Sequence, residues 1–208
     1  MGKRYDSIND KLVDFIIRQQ IFFVATAAVD GRINLSPKGM DSLRVVSPNQ
    51  VVWLNLTGSG NETAAHLLES DRMTLMFCAF DADPKILRLY GQAAVHHEGS
   101  AEWDAHIGRF PGLPGARQIV VMDVDLAQTS CGFGVPLFEF QGDRDTLKEW
   151  ANNKGEEGIR EYWLKRNSVS LDGKPTGMGG KVKGERLKAK GRQIKDLPVS
   201  CVKPDKAL

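Results

Sequence analysis

The sequence predicts a mainly β protein, a barrel or sandwich of short strands with a few flanking helices. Seven runs rich in Val, Ile and Phe follow one another between residues 21 and 126. Turn signals separate them, among them Asp30-Gly31, Ser47-Pro48-Asn49 and Asp81 to Pro84. Few helical periods interrupt the series, which argues against a doubly wound parallel sheet.

Each element follows from its local pattern. In SINDKLVDFIIRQQ, residues 7–20, Ile8, Leu12, Phe15 and Ile16 recur at helical spacing, and Ser7 stands at the N-cap position. The strand-like runs are IFFVATAAV, RINLSPK, LRVV, VVWLNL, MTLMFCAF, ILRLYGQAAV and IVVMDVDL. Further helices are expected near 61–70, 100–108, 144–153 and 156–166, the last two carrying Leu147 and Trp150, then Ile159, Tyr162 and Trp163. RFPGLPGARQ is expected as a loop. From Asn167 onward glycine, proline and lysine dominate without a sustained period.

At 208 residues the chain suffices for one domain whose core needs no metal or disulfide. With 41% apolar and 26% charged residues it is neither fibrous nor disordered in composition. Cys78, Cys131 and Cys201 form no CxxC pair, which excludes a disulfide framework or zinc knuckle. MGKRYDSIND lacks the apolar core of a signal peptide, and no apolar run reaches membrane-spanning length, so a cytoplasmic protein is expected. The net charge of +2 divides unevenly, with +7 in residues 174–208 and −5 in residues 1–173. Residues 1–173 are therefore expected as the domain and 174–208 as a basic, flexible tail. That tail has no aromatic residue to stack a base, which argues against a nucleic-acid arm.

LTGSGNETAAHL, residues 56–67, admits two readings. Ser59 and Glu62 match the S-x-x-E capping box, an ordinary helix start. Gly58, Gly60, Asn61 and Thr63 go unexplained by a cap and suit a turn that cradles an anion. The string is neither a P-loop nor a dinucleotide fingerprint. A cation for such an anion must come from elsewhere, and Lys38 in NLSPKG and Arg88 in KILRLYG sit in strand-like runs. Ile86, Arg88 and Tyr90 share a face, where an arginine suits a planar anion or else extends to water from an edge strand. In SCGFGVP the glycines flanking Phe133 favour a tight turn with a buried Cys131, and no base lies beside that thiol in sequence. His66, His96, His97 and His106 fit no metal-ligand spacing, so no metal is expected.

Taken together, LSPKG, LRVV, VVWLNLTGSGNETAAHL, RMTLMFCAF and ILRLYGQA, continuing to SCGFGVPLFEF and KRNSVSLDGKP, resemble the pyridoxamine 5'-phosphate oxidase-like superfamily of FMN-binding split barrels. The likeness is to a pyridoxamine 5'-phosphate oxidase-related subfamily and covers roughly residues 8–176. It implies a six-stranded split β-barrel with flanking helices, forming a homodimer with FMN at the subunit interface. By position, Ser36, Pro37 and Lys38 lie on the strand lining the flavin, and Leu54, Asn55, Leu56 and Thr57 on the strand under its ring. Asn61, Glu62 and Thr63 stand where the family commonly places a Ser-Arg-Lys phosphate grip. Arg88 and Gln92 belong to the strand beside the cofactor. Cys131, Gly132, Phe133 and Val135 belong to the segment that reaches the partner's flavin.

Two departures matter. Asn61-Glu62-Thr63 supplies no cation, so a phosphate would depend on backbone N–H groups, the helix dipole and Lys38 or Arg88. No histidine follows His106, where true pyridoxamine phosphate oxidases carry Arg-x-His, which argues against vitamin B6 oxidation. The implied function is an FMN-dependent oxidoreductase acting on a small molecule, with no side-chain acid or base assigned. A flavin-binding or storage module without turnover is the alternative, and a nucleic-acid-binding barrel a more distant one. Substrate, electron donor and the choice between FMN and a deazaflavin stay open at this level.

Overall fold

The computed structural model describes residues 2–179. Its strands are β1 (Lys3–Tyr5), β2 (Phe22–Thr26), β3 (Asn34–Lys38), β4 (Leu43–Ser47), β5 (Gln50–Leu56), β6 (Arg72–Cys78), β7 (Lys85–His97) and β8 (Ala116–Cys131). Seven of them answer to the seven apolar runs. The eighth, β1, is too short to show alternation in sequence and takes its register from β8, with Arg4 opposite Gln128. The molecule is thus mainly β with flanking helices, with eight strands where the family resemblance implies six.

All pairings are antiparallel, in the order β3-β2-β6-β7-β8-β5-β4, with β1 against β8. The sheet is rolled. β2 and β5 are far apart in that order, yet the rings of Phe22 and Trp53 meet edge to face with centroids 6.2 Å apart. Alternate residues point inward, so Val24, Trp53, Leu75, Leu89 and Met122 form one buried cluster.

Helix α1 (Asp10–Ile17) adds Leu12, Phe15 and Ile16 to that cluster. Its cap is Asn9, not Ser7: the Asn9 side chain accepts from the Leu12 N–H at 3.1 Å, and the Ile8 N–H is already committed to the Pro48 carbonyl. On the outer face, Val52, Leu54 and Ile119 pack beneath Trp103 of α3 (Ala101–His106) and Phe110. Strand β5 is therefore buried on both faces, which explains why VVWLNL runs apolar instead of alternating.

Helix α2 (Glu62–Leu67) follows β5. The two helices expected at 144–153 and 156–166 are present as the two halves of α4 (Thr146–Tyr162), parted at Gly155, whose φ of 65° no ordinary residue adopts easily. A π-turn, Trp163–Asn167, closes it. RFPGLPGARQ is a shorter loop than expected, because β8 already begins at Ala116. Asn55 faces Gln118 and Leu56 faces Ala116, which leaves Arg117 as the extra residue of a bulge.

Most of the expected basic tail, from residue 180 on, lies outside the described residues. Its first residues belong to the fold: Pro175 bridges to Val169, and Lys174 pairs with Asp30 and Glu69. Among the described residues no helix is long and apolar enough to cross a membrane.

A second bulge lies between Tyr90 and Gly91, where Tyr90 faces Leu126 and Gly91 faces Val124. A Cβ on Gly91 would stand 1.9 Å from the Asp123 carbonyl oxygen. Gly91→Ala is expected to cost about 3 kcal/mol and to lower Tm by roughly 6–12 °C in thermal circular dichroism. An unchanged Tm would show that the two longest strands part there freely.

A cationic pocket at the open edge of the barrel

Alternation on β3 sends Asn34, Ser36 and Lys38 to one side. They stand in register with Thr26, Val24 and Phe22 of β2, on the barrel's inner face. Across from them lie Asn55 at the end of β5, the Gly58-Ser59-Gly60 turn and the start of α2. Together with Arg117 and residues of the segment 166–171 they enclose a pocket of about 550 Å³.

Three cations line it, Lys38, Arg117 and the exposed Arg166, and the first two are the ones drawn out of water. The Lys38 ammonium lies 5.2 Å from the Trp53 ring centroid and donates to Asn55 Oδ1 at 3.3 Å. Asn55 in turn donates to Gln118 Oε1 at 3.0 Å. Withdrawal from water, and then the charge of Arg117, lowers the Lys38 pKa to about 8. Arg117 is 3% exposed, and its Nη1 donates to the Gly60 carbonyl at 3.0 Å and to Asn167 Oδ1 at 2.7 Å. Its Nε is buried without a partner, and burial lowers its pKa to about 10. Among the described residues neither Lys38 nor Arg117 has a carboxylate partner.

Among the described residues Glu62 is the only carboxylate lining the pocket, and it is turned to other work. It accepts the Leu171 backbone N–H at 3.0 and 3.1 Å, so the expected capping box does not form. The N-cap of α2 is Asn61, without a side-chain cap bond. Its Nδ2 donates to the Asn167 carbonyl at 3.4 Å, and its Oδ1 is buried and unpartnered. With only six residues α2 offers little dipole, so the charge at this turn comes from the cationic side chains.

The segment after α4 builds the remaining wall. Asn167 is fully buried and donates from Nδ2 to the Gly58 carbonyl at 3.1 Å. Trp163 Nε1 donates to Thr57 Oγ1 at 2.8 Å, and that hydroxyl donates to the Gly115 carbonyl at 2.7 Å.

Of the residues expected at a site, Ser36, Lys38, Asn55, Asn61, Glu62 and Thr63 come together in this pocket. Pro37 lines a neighbouring pocket of about 720 Å³ that shares Lys38 and is walled by Phe80, Phe138 and Phe140. Leu54 and Leu56 pack outward beneath α3, and Thr57 supports the turn from behind. Arg88 is not in the pocket: it donates to Ser130 Oγ at 3.2 Å from the first part of β7, and Gln92 lies further along that strand, opposite Arg72 and Asp123. Cys131 is exposed, contrary to the buried thiol expected, because it ends β8 where the chain leaves the sheet. Gly132 closes a turn with Val135, and Phe133 is 81% exposed. Sequence reasoning missed Arg117, Asn34, Gln118 and Asn167. For Arg117 the signal was faint, an Arg-Gln pair ahead of IVVMDV, and a bulge hides which way each points.

The fold and pocket define a class, a rolled antiparallel barrel whose open edge presents uncompensated positive charge. Residues 8–131 match the family Pyridoxamine 5'-phosphate oxidase. A pyridoxamine 5'-phosphate oxidase family protein of Aspergillus flavus, ustO, is 40% identical over 191 residues, covering 82% of this chain and 76% of that protein. The chain belongs to the pyridoxamine 5'-phosphate oxidase-related family. Among solved structures, a variant of HupZ from Group A Streptococcus is 20% identical with a TM-score of 0.47, covering 59% of this chain and 99% of its own. The FAD binding protein of Mycobacterium smegmatis is 14% identical with a TM-score of 0.44, covering 61% of this chain and 97% of its own.

Lys38 carries its lowered pKa only when folded. Between about 8 and the ordinary 10.5 the unfolded chain binds more protons, so this group makes stability rise with pH. The stability of the wild type relative to Lys38→Met is expected to climb when urea denaturation is repeated at about pH 7.5 and about pH 10. A constant difference would mean that the amine stays hydrated.

Proposed function

We propose that this pocket binds FMN through its phosphate and that the protein is an FMN-dependent oxidoreductase acting on a small molecule. The observation that supports it is the pair Lys38 and Arg117, two cations drawn out of water around one pocket without a carboxylate to balance them. A charge so placed gains most from a ligand that brings the opposite one. The pocket's volume lies within the range usual for small-molecule sites. A further donor fits the same group, the partnerless Arg117 Nε, whereas the Asn34 amide and the Ser36 hydroxyl donate to Thr26, Thr63 and Asn34 within the pocket wall. Glu62, held by the Leu171 N–H, does not quench either cation.

Bound flavin would supply the hydride-accepting centre, and the chain would orient it and neutralise its phosphate. The adjoining pocket that shares Lys38 gives room for a second molecule, which favours turnover over storage. Arg88, Gln92 and Cys131 to Val135 stand apart from the pocket of their own chain, so their place in this reading is across a homodimer interface. Exposed Phe133, Leu137, Phe138 and Phe140 give that interface its apolar surface. The scattered free thiols Cys78 and Cys131 suit a cytoplasmic setting.

The purified protein is expected to be yellow and to release FMN on denaturation, or to take it up on titration. Arg117→Met is expected to weaken FMN binding about 10- to 100-fold, more than Glu62→Ala or Arg88→Ala. FMN affinity should fall as pH rises through about 8, where Lys38 loses its proton, and Lys38→Gln should flatten that fall. A colourless protein that takes up no FMN would overturn the reading.

A further inference from the structure

We infer that Asn167 is a positioning residue for the anion site, a neutral acceptor that aims the Arg117 guanidinium at the pocket while leaving its charge for the ligand. The inference rests on the anion-binding reading of the pocket and deepens it. Asn167 has no exposed surface, and its amide is engaged at both ends, accepting from Arg117 at 2.7 Å and donating to the Gly58 carbonyl at 3.1 Å. Its backbone carbonyl accepts from Asn61 Nδ2 and from Thr176 Oγ1. One residue therefore holds three parts of the site together: the arginine, the glycine turn and the cap of α2.

The chemical type matters as much as the position. An amide oxygen orients a guanidinium by a directed hydrogen bond without neutralising it, whereas a carboxylate there would form a charge-assisted pair and cancel the field. The second Arg117 acceptor, the Gly60 carbonyl, is also neutral. Asn167 reaches this place because the π-turn ends on it and the segment behind it is tethered on both sides. Glu62 takes the Leu171 N–H, Asp172 pairs with Arg32, and Lys174 pairs with Asp30 and Glu69. The site is complete only when the segment 167–176 lies across the barrel edge.

The full-length protein is tested with two probes. Inorganic phosphate is expected to raise the Tm of the wild type and to leave that of Asn167→Asp unmoved. In flavin fluorescence titrations Asn167→Asp is expected to lose FMN affinity by a factor of at least about 10 while riboflavin, which lacks the phosphate, changes less than about twofold. A residue needed only for folding would weaken both flavins alike, and that result would overturn the inference. Asn167→Ser, a shorter neutral acceptor, is expected to lose less FMN affinity than Asn167→Asp and carries the test if the latter fails to fold by circular dichroism. Wild-type phosphate response and flavin ratio in either folded variant would also overturn it. Phosphate stabilisation of the wild type, absent in Asn167→Asp, without FMN binding by either would sustain the inference and overturn the flavin reading. A wild type indifferent to phosphate and to FMN would overturn both.

Discussion

A guanidinium taken out of water is costly unless its N–H groups find acceptors, and Arg117 finds only a main-chain carbonyl and an amide oxygen. The local structure around the pocket answers to that requirement. A bulge in β8 sets Arg117 off the regular alternation of the strand. The turn after β5 turns the Gly60 carbonyl toward it, and the π-turn after α4 delivers Asn167. Lys38 is under the same constraint on the opposite wall, held by Asn55 and the face of Trp53. The folded chain carries two charges without carboxylate partners among the described residues, and this imbalance sets the pocket apart from a well-paired core.

The barrel makes such an arrangement affordable. Because β5 is buried on both faces, its path is set by packing on two sides before its last residues leave the core. Trp53 and Asn55 are consecutive residues on the same face of that strand, one packing against Phe22 and the other linking Lys38 to Gln118. Apolar interdigitation thus fixes the polar groups at the rim to within the tolerance of a hydrogen bond.

The strands were legible as short apolar runs between turn signals, and the helix near 156 because Ile159 recurs with Tyr162 and Trp163 at helical spacing. What failed was local pattern used where distant partners decide. Ser59 and Glu62 have the spacing of a capping box, yet Glu62 is claimed by Leu171, 109 positions away. Arg88 and Arg117 look alike as strand arginines, and only register and a bulge send one to Ser130 and the other to the pocket. The glycines of LTGSGNETAAHL form a turn that lines the pocket, with the Gly58 carbonyl taken by Asn167 and the Gly60 carbonyl by Arg117. Asn167 lay at the edge of a Gly-, Pro- and Lys-rich stretch whose composition says nothing of the contacts that order it.

The long reach of Asn167 has a temporal side. Its contacts span 50 positions to Arg117 and 109 to Gly58, whereas the sheet is complete once β8 has been made. The sheet closes loops as long as these, since Lys3 pairs with Thr129, but all of its partners precede residue 132, whereas Asn167 must wait for the turn after α4. During synthesis the barrel precedes its own pocket. A chain cut short before residue 167 would keep every strand pairing and yet hold a half-built pocket, its arginine facing a gap where the last acceptor belongs.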